Sequence, residues 1–531
     1  MKRCFTTLTA LACLFMSVPP GSALHNSGHL PTTTLGPLTV DVAERVSTGV
    51  FGGIGFERIY GTVSGVVTAA DGVVGFENLP LNPDGEWEFS SEFELITPAC
   101  PFGCAQTVFV EAENRGNPEL FTWIQGMSAS GPPSTVQYPP GFGNGFLFNN
   151  GFSYARVQWQ TGISAGVPAE AQGVGLVIQQ KFGQWLAQQR GFSTMVLMGD
   201  SQSGWEVTTF LGEGYNSHPE TGGAIFDGII SVNGHGNWLA INQLGDDGQP
   251  QDAYVRPNGV PLTPEELLSR PQSDPILVNV GAFTDYYRVR ASLFHEQLPH
   301  PGVHHYDWPY PHASLFMVSG NDFPFVEKGC NSGVIKQLNP VDMRPYLRKI
   351  VSGLAWELNS SDVDDDSDSD SDSDSDGDNG LPQQRFFKLG PAPPHPPASC
   401  AESTASDPEC TFNPLPGAIL ATPVVDEDRQ PLGGVRFPDV ELPLGRPDAT
   451  PLSHTGTLNS GDLCGNFWAW EPFGRKELRK RYGSVDDYED AYEEVIEDLV
   501  DGGYILEDEA DAMIERAVAN YASLVRRKHK D

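Results

Sequence analysis

The sequence predicts an α/β fold with a mostly parallel central sheet flanked by helices, a β-rich N-terminal extension and a helical C-terminal segment. Three observations lead to this fold class. Short runs with strand patterning dominate residues 40–112. Strand-like and helix-like segments then alternate, which is typical of parallel strands joined by crossover helices. The chain ends in two helical patterns, Val485–Val500 and Glu507–Arg526.

The composition of the 531-residue chain limits its class. The length suits one large α/β domain with insertions, which we place at residues 35–531. The net charge is −37, so nucleic-acid binding is not expected, because phosphate contacts need a basic face. We expect no cofactor and no resident metal, and a small molecule as the partner.

Residues 1–23 have the pattern of a secretory signal peptide. Lys2 and Arg3 precede the apolar stretch Phe5–Val18, and small residues follow up to Ala23. The stretch is short for a membrane helix, and no later stretch is long and apolar enough to form one. We therefore predict cleavage after Ala23, no membrane span after cleavage, and a secreted, periplasmic or cell-surface protein.

Six cysteines remain after this cleavage, and an even count in an exported protein suggests disulfide bonds. They are Cys100, Cys104, Cys330, Cys400, Cys410 and Cys464. The first two, and Cys400 with Cys410, are candidate local pairs, but connectivity cannot be deduced from sequence. A zinc site is the alternative, although no histidine stands at ligand spacing beside either pair.

The N-terminal extension contains three clear strand patterns, separated by Gly and Asp-Gly turns. They are Phe56–Val67, Glu86–Leu95 and Thr107–Glu113. A strand–helix–strand unit follows, made of Tyr154–Trp159, a helix over Ala169–Arg190 that Gly191 ends, and Thr194–Met198.

The strand Thr194–Met198 leads into Gly199-Asp200-Ser201-Gln202-Ser203-Gly204 and a helix-compatible segment. This layout is typical of a nucleophile elbow, which holds a serine hydroxyl clear of its backbone at a helix N-terminus. The N–H of Gln202 can bind an oxyanion there. Ser203 replaces the second glycine of the elbow pattern, and Gly204 follows it. The alternative is a Gly/Ser loop that caps a helix.

A second oxyanion N–H has a candidate source in the loop Asn114-Arg115-Gly116-Asn117, which follows a predicted strand. An ordinary turn is the other interpretation of Arg115 and its neighbours. Later strands are predicted at Phe226–Val232, Pro275–Val280 and Ser314–Ser319. Because catalytic groups gather at the carboxyl ends of strands in such sheets, the residues of interest are Ser201, His235, Asp285 and Asp322.

Residues 362–380 form an acidic Asp/Ser low-complexity insert. The tract Asp362–Asp378 holds ten aspartates and no basic residue, so we expect a solvated loop. Part of it matches the start of a calcium loop, but Gln383 stands where the twelfth-position glutamate is needed. Weak calcium binding and a plain acidic spacer are the alternatives. Ser484 and Asp487 form a capping-box-like start to the first C-terminal helix.

Short segments of the chain recur in the order found in one protein family. They are FERI 56–59, NRGN 114–117, GFL 145–147, WQ 159–160, SQSG 201–204, GYN 214–216, FDG 226–228, NPVD 339–342, GVRFPDV 434–440 and RYGS 481–484. In these segments the chain resembles a little-characterised family of exported, mostly bacterial α/β hydrolases. The resemblance implies a serine hydrolase acting on carboxylic esters, with Ser201 as nucleophile and Asp285, before Tyr286-Tyr287, as the acid of the triad.

The histidine that the resemblance implies is not where it is expected. The family carries it in a loop after the last strand, and Phe323 occupies that place after Ser314–Ser319. Phenylalanine cannot accept a proton. Three alternatives stay open: the base is His235 or His454; it is one of the histidines that precede Ser314–Ser319; or the triad is lost.

The second alternative concerns His304, His305 and His312. A strand of about six residues spans about 20 Å, so histidines before Ser314–Ser319 are expected at the wrong end of the sheet.

We therefore predict an exported serine esterase with Ser201, Asp285 and His235 as catalytic residues and Gln202 and Arg115 at the oxyanion. The alternative function is a catalytically impaired protein that binds a ligand or partner at the cell surface.

Overall fold

The computed structural model describes residues 33–35, 38–99, 106–127, 142–160, 167–243, 261–288, 291–312, 339–360, 379–391, 421–447 and 470–526. Within them, ten strands form one sheet. These are Thr33–Leu35 (β1), Leu38–Phe51 (β2), Ile54–Val67 (β3), Trp87–Pro98 (β4), Thr107–Ala112 (β5), Ser153–Val157 (β6), Thr194–Asp200 (β7), Gly228–Val232 (β8), Ile276–Ala282 (β9) and Val303–Trp308 (β10).

The strand order across the sheet is β1-β2-β3-β4-β6-β5-β7-β8-β9-β10. The N-terminal strands pair in antiparallel fashion as far as the β4–β6 pair, and every pair from β6 to β10 is parallel. The carboxyl ends of the parallel strands therefore meet at one edge. Two short antiparallel pairs lie outside this sheet: Leu389–Pro391 (β11) with Ala421–Pro423 (β12), and Gly445–Pro447 (β13) with Trp470–Pro472 (β14).

The helices of the described residues cover both faces of the sheet. They are Glu119–Ile124 (α1), Phe146–Asn149 (α2), Val174–Trp185 (α3), Gln202–Gly212 (α4), Pro264–Leu267 (α5), Asp285–Arg288 (α6), Ala291–His295 (α7), Arg344–Ser360 (α8), Pro438–Glu441 (α9), Arg475–Tyr482 (α10), Val485–Asp501 (α11) and Glu507–Arg526 (α12). None of them is both long and apolar enough to cross a membrane.

Strand β7 shows why both faces need cover. All seven of its residues are buried, and alternate side chains point to opposite faces of a strand. Met195 and Leu197 join the apolar core shared with α3 and α4. Val196 and Met198 join the other core, to which α1, α2, α8, α11 and α12 contribute. The central strand is thus buried between two helical layers.

The predicted elements around the elbow are present with shifted ends. The predicted helix Ala169–Arg190 divides into a 3₁₀ turn at Ala169–Ala171, the α-helix α3 and a π turn at Leu186–Arg190. Gly191 ends it at φ 68°, as its sequence position suggested. Ser484 and Asp487 form the expected capping box at the start of α11.

The segment that follows the acidic insert packs against the last strand of the sheet. Arg385 forms an isolated parallel β-bridge with Tyr306 of β10. The N–H of Val435 donates to the Asp307 carbonyl over 2.9 Å. Further along the chain, α12 is tied to α8 by the ion pair of Arg348 with Glu509. The C-terminal third of the chain therefore contributes to the main fold.

Several predicted features lie outside the described residues. These are the six cysteines that follow residue 23, the tract Asp362–Asp378, the segment Ser314–Ser319, and the residues Asp322, Phe323 and His454.

Candidate active site

The turn after β7 holds Ser201 in a strained conformation. Its backbone lies at φ 53° and ψ −115°, and α4 begins at the next residue. Residues other than glycine rarely adopt a positive φ, and such backbone strain is common at functional sites. The Ser201 N–H donates to the Val232 carbonyl over 3.0 Å, which ties the turn to the end of β8. The turn thus has the strand–serine–helix layout that the sequence predicted.

Two glycines permit this close packing. A β-carbon at Gly199 would lie 2.3 Å from the Ser203 carbonyl oxygen, and one at Gly204 would lie 2.4 Å from the Val232 carbonyl oxygen. Ser203 uses its hydroxyl to bind the turn: its Oγ donates to the Asp200 carbonyl over 2.9 Å and accepts from the Asp200 N–H over 3.1 Å. The chain therefore replaces the pattern's second glycine with a serine that stabilises the turn, and moves the glycine one residue on.

His312 is the imidazole beside the serine. Its Nε2 lies 2.6 Å from Ser201 Oγ, and its Nδ1 lies 2.7 Å from Asp285 Oδ1. The His312 side chain is 4% exposed and the Asp285 side chain is fully buried. With Nδ1–H donating to the carboxylate, Nε2 can accept the serine proton. The three side chains form a Ser–His–Asp arrangement in the chain order Ser, Asp, His.

Backbone contacts between neighbouring loops place His312. The loop after β10 contacts the loop after β9 through two hydrogen bonds: Phe283 N–H to the Tyr310 carbonyl over 3.0 Å, and His312 N–H to Thr284 Oγ1 over 2.9 Å. Asn233, after β8, donates to Asp200 Oδ1 and accepts from the Tyr310 hydroxyl, each over 2.7 Å. The ends of β7, β8, β9 and β10 are thereby joined.

The expectation for His312 is therefore corrected. It placed this residue at the wrong end of the sheet because Ser314–Ser319 has the pattern of a last strand. The structure has β10 at Val303–Trp308, so His304 and His305 lie within the strand and His312 follows its carboxyl end. This strand was missed because three of its six residues, His304, His305 and Asp307, are polar or titratable and interrupt the apolar pattern. A signal was present, since Pro309 and Pro311 mark a loop after an aromatic-rich run, and His312 obeys the triad order.

His235 lies after the carboxyl end of β8, as predicted, but its partner is Asp285 and not Ser201. Its Nε2 is 3.1 Å from Asp285 Oδ2, and both side chains are fully buried. The geometry thus corrects the expected position of the base, since His312 and not His235 lies against Ser201 Oγ. Asp285 is brought to the site as expected, with both carboxylate oxygens taken by imidazoles.

The charge state of Asp285 follows from these contacts. Burial by itself would raise its pKa. The charge of His312 and the hydrogen bonds from His235 and His312 outweigh burial, and hold the pKa of Asp285 well below its usual range. The carboxylate therefore stays ionised and can orient His312 and stabilise its cation.

The loop Asn114–Asn117 lies beside the elbow. Asn114 Nδ2 donates to the Asp200 carbonyl over 3.1 Å. Backbone bonds of 3.0 Å join Asn114 and Asn117 in both directions, around a tight turn with Arg115 at φ 52° and Gly116 at φ 80°. Of the two predicted oxyanion residues, Gln202 directly follows Ser201 at the start of α4, and Arg115 follows Asn114, whose side chain contacts Asp200.

Asp200, the last residue of β7 and the neighbour of Ser201, interacts with Glu119 at the start of α1. Burial raises the pKa of Glu119 to about 7, although a hydrogen bond with Asp200 acts in the opposite direction. Burial, and then the nearby charge of Glu119, raise the pKa of Asp200 well above its usual range. Two close carboxyls cannot both ionise cheaply, so the charge of Glu119 favours the protonated form of Asp200. No sequence pattern singled out this pair.

Backbone strain is concentrated around the site. Five non-glycine residues in the described part of the chain have positive φ, and four of them belong to the loops just described. These four are Arg115, Ser201, Asn233 and His235. Strain of this kind persists only where surrounding structure enforces it.

Among the described residues, no group of three or more His, Cys, Asp or Glu side chains could hold a metal ion.

A family model described as "Alpha/beta hydrolase domain" matches residues 384–515. The matched stretch begins after His312 in the chain and includes α11 and the segment that packs against β10. A search of curated protein sequences finds no significant match.

Among solved structures, the chain is similar to three bacterial esterases. A glucuronoyl esterase from Solibacter usitatus is 12% identical, with 48% of this chain and 70% of that chain covered and a TM-score of 0.26. A glucuronoyl esterase from Teredinibacter turnerae is 11% identical, with 47% and 63% covered and a TM-score of 0.27. An esterase from Pseudomonas putida is 10% identical, with 54% and 79% covered and a TM-score of 0.28. At these TM-scores the likenesses carry no functional argument.

Proposed function

We propose that this α/β hydrolase is an exported serine hydrolase that cleaves carboxylic esters. One observation carries the proposal: His312 spans the space between Ser201 Oγ, at 2.6 Å, and Asp285 Oδ1, at 2.7 Å. An imidazole with these two partners activates a serine hydroxyl, which is otherwise a weak nucleophile.

In the first half of the reaction, Ser201 Oγ attacks the ester carbonyl carbon while its proton passes to His312 Nε2. Asp285 accepts from Nδ1–H and stabilises the imidazolium. The oxyanion is bound by backbone N–H groups, for which Gln202 and Arg115 are the candidates. Collapse of the tetrahedral intermediate breaks the bond to the alcohol oxygen, which takes the proton from His312. The acyl group stays on Ser201.

In the second half, a water molecule gives a proton to His312 Nε2 and its oxygen attacks the acyl-enzyme carbonyl. Collapse returns that proton to Ser201 Oγ and releases the carboxylic acid. The overall reaction adds one water to one ester, and the chain returns to its starting state. Every proton step uses the same imidazole, so one histidine is sufficient.

The alternative function, an inactive binding protein, was based on the expected absence of a catalytic histidine. That alternative depended on there being no imidazole near Ser201 once Phe323 stood in the expected position. His312 supplies an imidazole from the loop after β10, and no other observation favours the binding function.

The test is labelling with a fluorophosphonate probe, which needs an activated serine but little substrate complementarity. We expect the wild type to label at Ser201 and to hydrolyse p-nitrophenyl acetate. Ser201→Ala should not label, and His312→Ala should lose at least about a thousand-fold in rate. His218→Ala, in the turn that leads into β8, is the matched histidine control and should keep wild-type labelling. A folded wild type that does not label would overturn the proposal.

Export is a separate part of the proposal, supported by the sequence pattern of residues 1–23. Expression of the full chain in a bacterium, followed by N-terminal sequencing of the protein outside the cytoplasm, tests it. The expected mature N-terminus is Leu24. A protein that keeps Met1 and stays in the cytoplasm contradicts this part alone.

A further inference from the structure

We infer that His235 is a positioning residue of this site, which fixes the orientation of the Asp285 carboxylate and, through it, that of His312. The inference rests on the proposed function. His235 touches neither Ser201 nor any atom that reacts, so it would act only through Asp285.

The carboxylate of Asp285 is held on both sides. His312 Nδ1 lies 2.7 Å from Oδ1 and His235 Nε2 lies 3.1 Å from Oδ2. Rotation of the carboxylate in either direction would lose one of these bonds. Both side chains of the Asp285–His235 pair are fully buried, so water cannot replace a lost donor without a structural change.

The ring of His235 is itself held firmly. Its backbone lies at φ 48° in a loop that follows β8. The loop is fixed by Asn233 N–H, which donates to the Val280 carbonyl over 2.8 Å, and by the Gly236 carbonyl, which accepts from Leu262 N–H over 2.7 Å. The ring lies against Gly281, where a β-carbon would be only 2.2 Å from His235 Cε1. Glycine at this position of β9 therefore makes room for the imidazole.

The two imidazoles differ in how many of their ring nitrogens have a hydrogen-bond partner. An ionised carboxylate only accepts, so His235 must carry its proton on Nε2 to bind Asp285. In the described residues Nδ1 of His235 has no hydrogen-bond partner. His312, in contrast, has a partner at each nitrogen and can pass a proton between two positions. His235 is thus equipped to hold the acid, and His312 to move the proton.

Other titratable groups face His235 and bear on any pH profile. The Tyr286 and His305 rings lie 5.8 Å from its ring, centroid to centroid. Asp307 and His295 lie beyond them: Asp307 Oδ1 accepts from the Tyr286 hydroxyl over 2.7 Å, and His295 Nε2 lies 3.6 Å from Asp307 Oδ2. These groups belong to α6, α7 and β10, and the variants below leave them in place.

The experiment compares His235→Phe, His235→Gln and His235→Asn by ester hydrolysis. Phenylalanine keeps an aromatic ring but removes the donor, so we expect kcat to fall about 10- to 100-fold with KM nearly unchanged, the size found when an orienting hydrogen bond is lost. The acid limb of the kcat/KM profile should move to higher pH, because a carboxylate with one donor fewer holds the His312 cation more strongly. Wild-type values in a folded His235→Phe variant would overturn the inference.

Glutamine and asparagine separate positioning from packing. The glutamine amide nitrogen can reach the place of His235 Nε2 and should restore kcat to within about 3-fold and return the acid limb to the wild-type position, whereas the shorter asparagine should not. If His235→Phe fails to fold, this pair decides: equal activity of the glutamine and asparagine variants would overturn the inference.

Failure of the proposed function gives a different result. If wild type does not label with fluorophosphonate, the hydrolase proposal fails, and the positioning contact is then read by NMR. We expect a low-field proton resonance for His312 Nδ1–H that is present in wild type and His235→Gln and is lost or shifted in His235→Phe. An unchanged resonance in His235→Phe would overturn the positioning role by itself.

Discussion

Glycine at position 204 is required by a backbone contact and not by backbone dihedral freedom. The added β-carbon would meet the Val232 carbonyl oxygen at 2.4 Å, and that oxygen belongs to the end of β8. Backbone in a buried sheet cannot move aside as a flexible side chain can. Gly199 is restricted in the same way, because it faces the Ser203 carbonyl.

Gly204→Ala is expected to lower the free energy of unfolding by about 3 kcal/mol, at the upper end of the cost of overpacking. Urea denaturation measures it. Gly55→Ala is the control, because a β-carbon there meets nothing within 4 Å, and we expect a change within about 0.5 kcal/mol. Equal effects at the two positions would show that the contact with Val232 is unimportant.

Ser203→Ala is expected to destabilise the chain by about 1–3 kcal/mol, the cost of a buried backbone group left without a partner. The hydroxyl that binds the N–H and carbonyl of Asp200 is removed. Ser203→Gly restores the usual elbow pattern but also lacks the hydroxyl, so it should be at least as destabilised in the same denaturation experiment. A glycine variant more stable than wild type would contradict this role for the serine.

At the scale of elements, β10 differs from its neighbours in the sheet. Strands β7 and β8 are mostly apolar, and the one carboxyl of β7, Asp200, stands at its end, whereas β10 carries His305 and Asp307 within the strand in fully buried positions. Asp307 accepts from Tyr286 and from the Phe387 N–H, each over 2.7 Å, and its Oδ1 lies 3.0 Å from His305 Nε2. A buried polar network thus replaces the apolar face expected of such a strand. A search for apolar runs passes over this kind of strand.

The helix α11 is an element whose start could be predicted. The Ser484 side chain accepts from the Asp487 N–H over 3.0 Å, and the Asp487 carboxylate accepts from the Ser484 N–H over 2.7 Å. These bonds satisfy N–H groups that an α-helix leaves unpaired at its start.

Ser484→Ala is expected to lower the free energy of unfolding by about 1 kcal/mol through loss of this cap. Thermal or urea denaturation of the full chain measures the loss. Ser523→Ala is the control: its hydroxyl donates to the Asn520 carbonyl over 2.8 Å at an exposed position of α12, and we expect no loss there. Similar losses for both serines would argue against a specific capping contribution.

At the scale of the whole molecule, the chain buries several carboxyl groups. Burial raises the pKa of Glu111 to about 8, despite hydrogen bonds from Tyr154 and from the N–H groups of Phe121 and Leu120. Burial also raises the pKa of Glu206 well above its usual range. The unfolded chain has ordinary values for these groups, so between about pH 4.5 and 8 the folded state binds more protons. The free energy of unfolding therefore decreases as pH rises through this window.

Glu206→Gln isolates one of these groups. The side-chain amide of Gln179 contacts the Glu206 carboxyl, and a glutamine could pair with it without ionising. We expect the free energy of unfolding to fall from about pH 5.5 to 8.5 in wild type, and to fall less in the variant. The physical reason is that a tenfold difference in proton affinity between the folded and unfolded states corresponds to about 1.4 kcal/mol. Urea midpoints at the two pH values measure both slopes. Parallel slopes for wild type and variant would contradict the prediction.

The sequence by itself determined the α/β class, the strand–serine–helix turn at Ser201, the cap of α11 and the place of Asp285 after a buried strand. Each depends on local physics: hydrophobic period, turn chemistry, and a short reach between residues close in the chain. The tertiary structure decided that His312 lies against Ser201 and that His235 lies against Asp285. These contacts join loops whose nearness depends on strand order and register, which no local pattern contains. They also depend on β10, a strand whose polar residues are buried only because residues distant in the chain supply their hydrogen bonds.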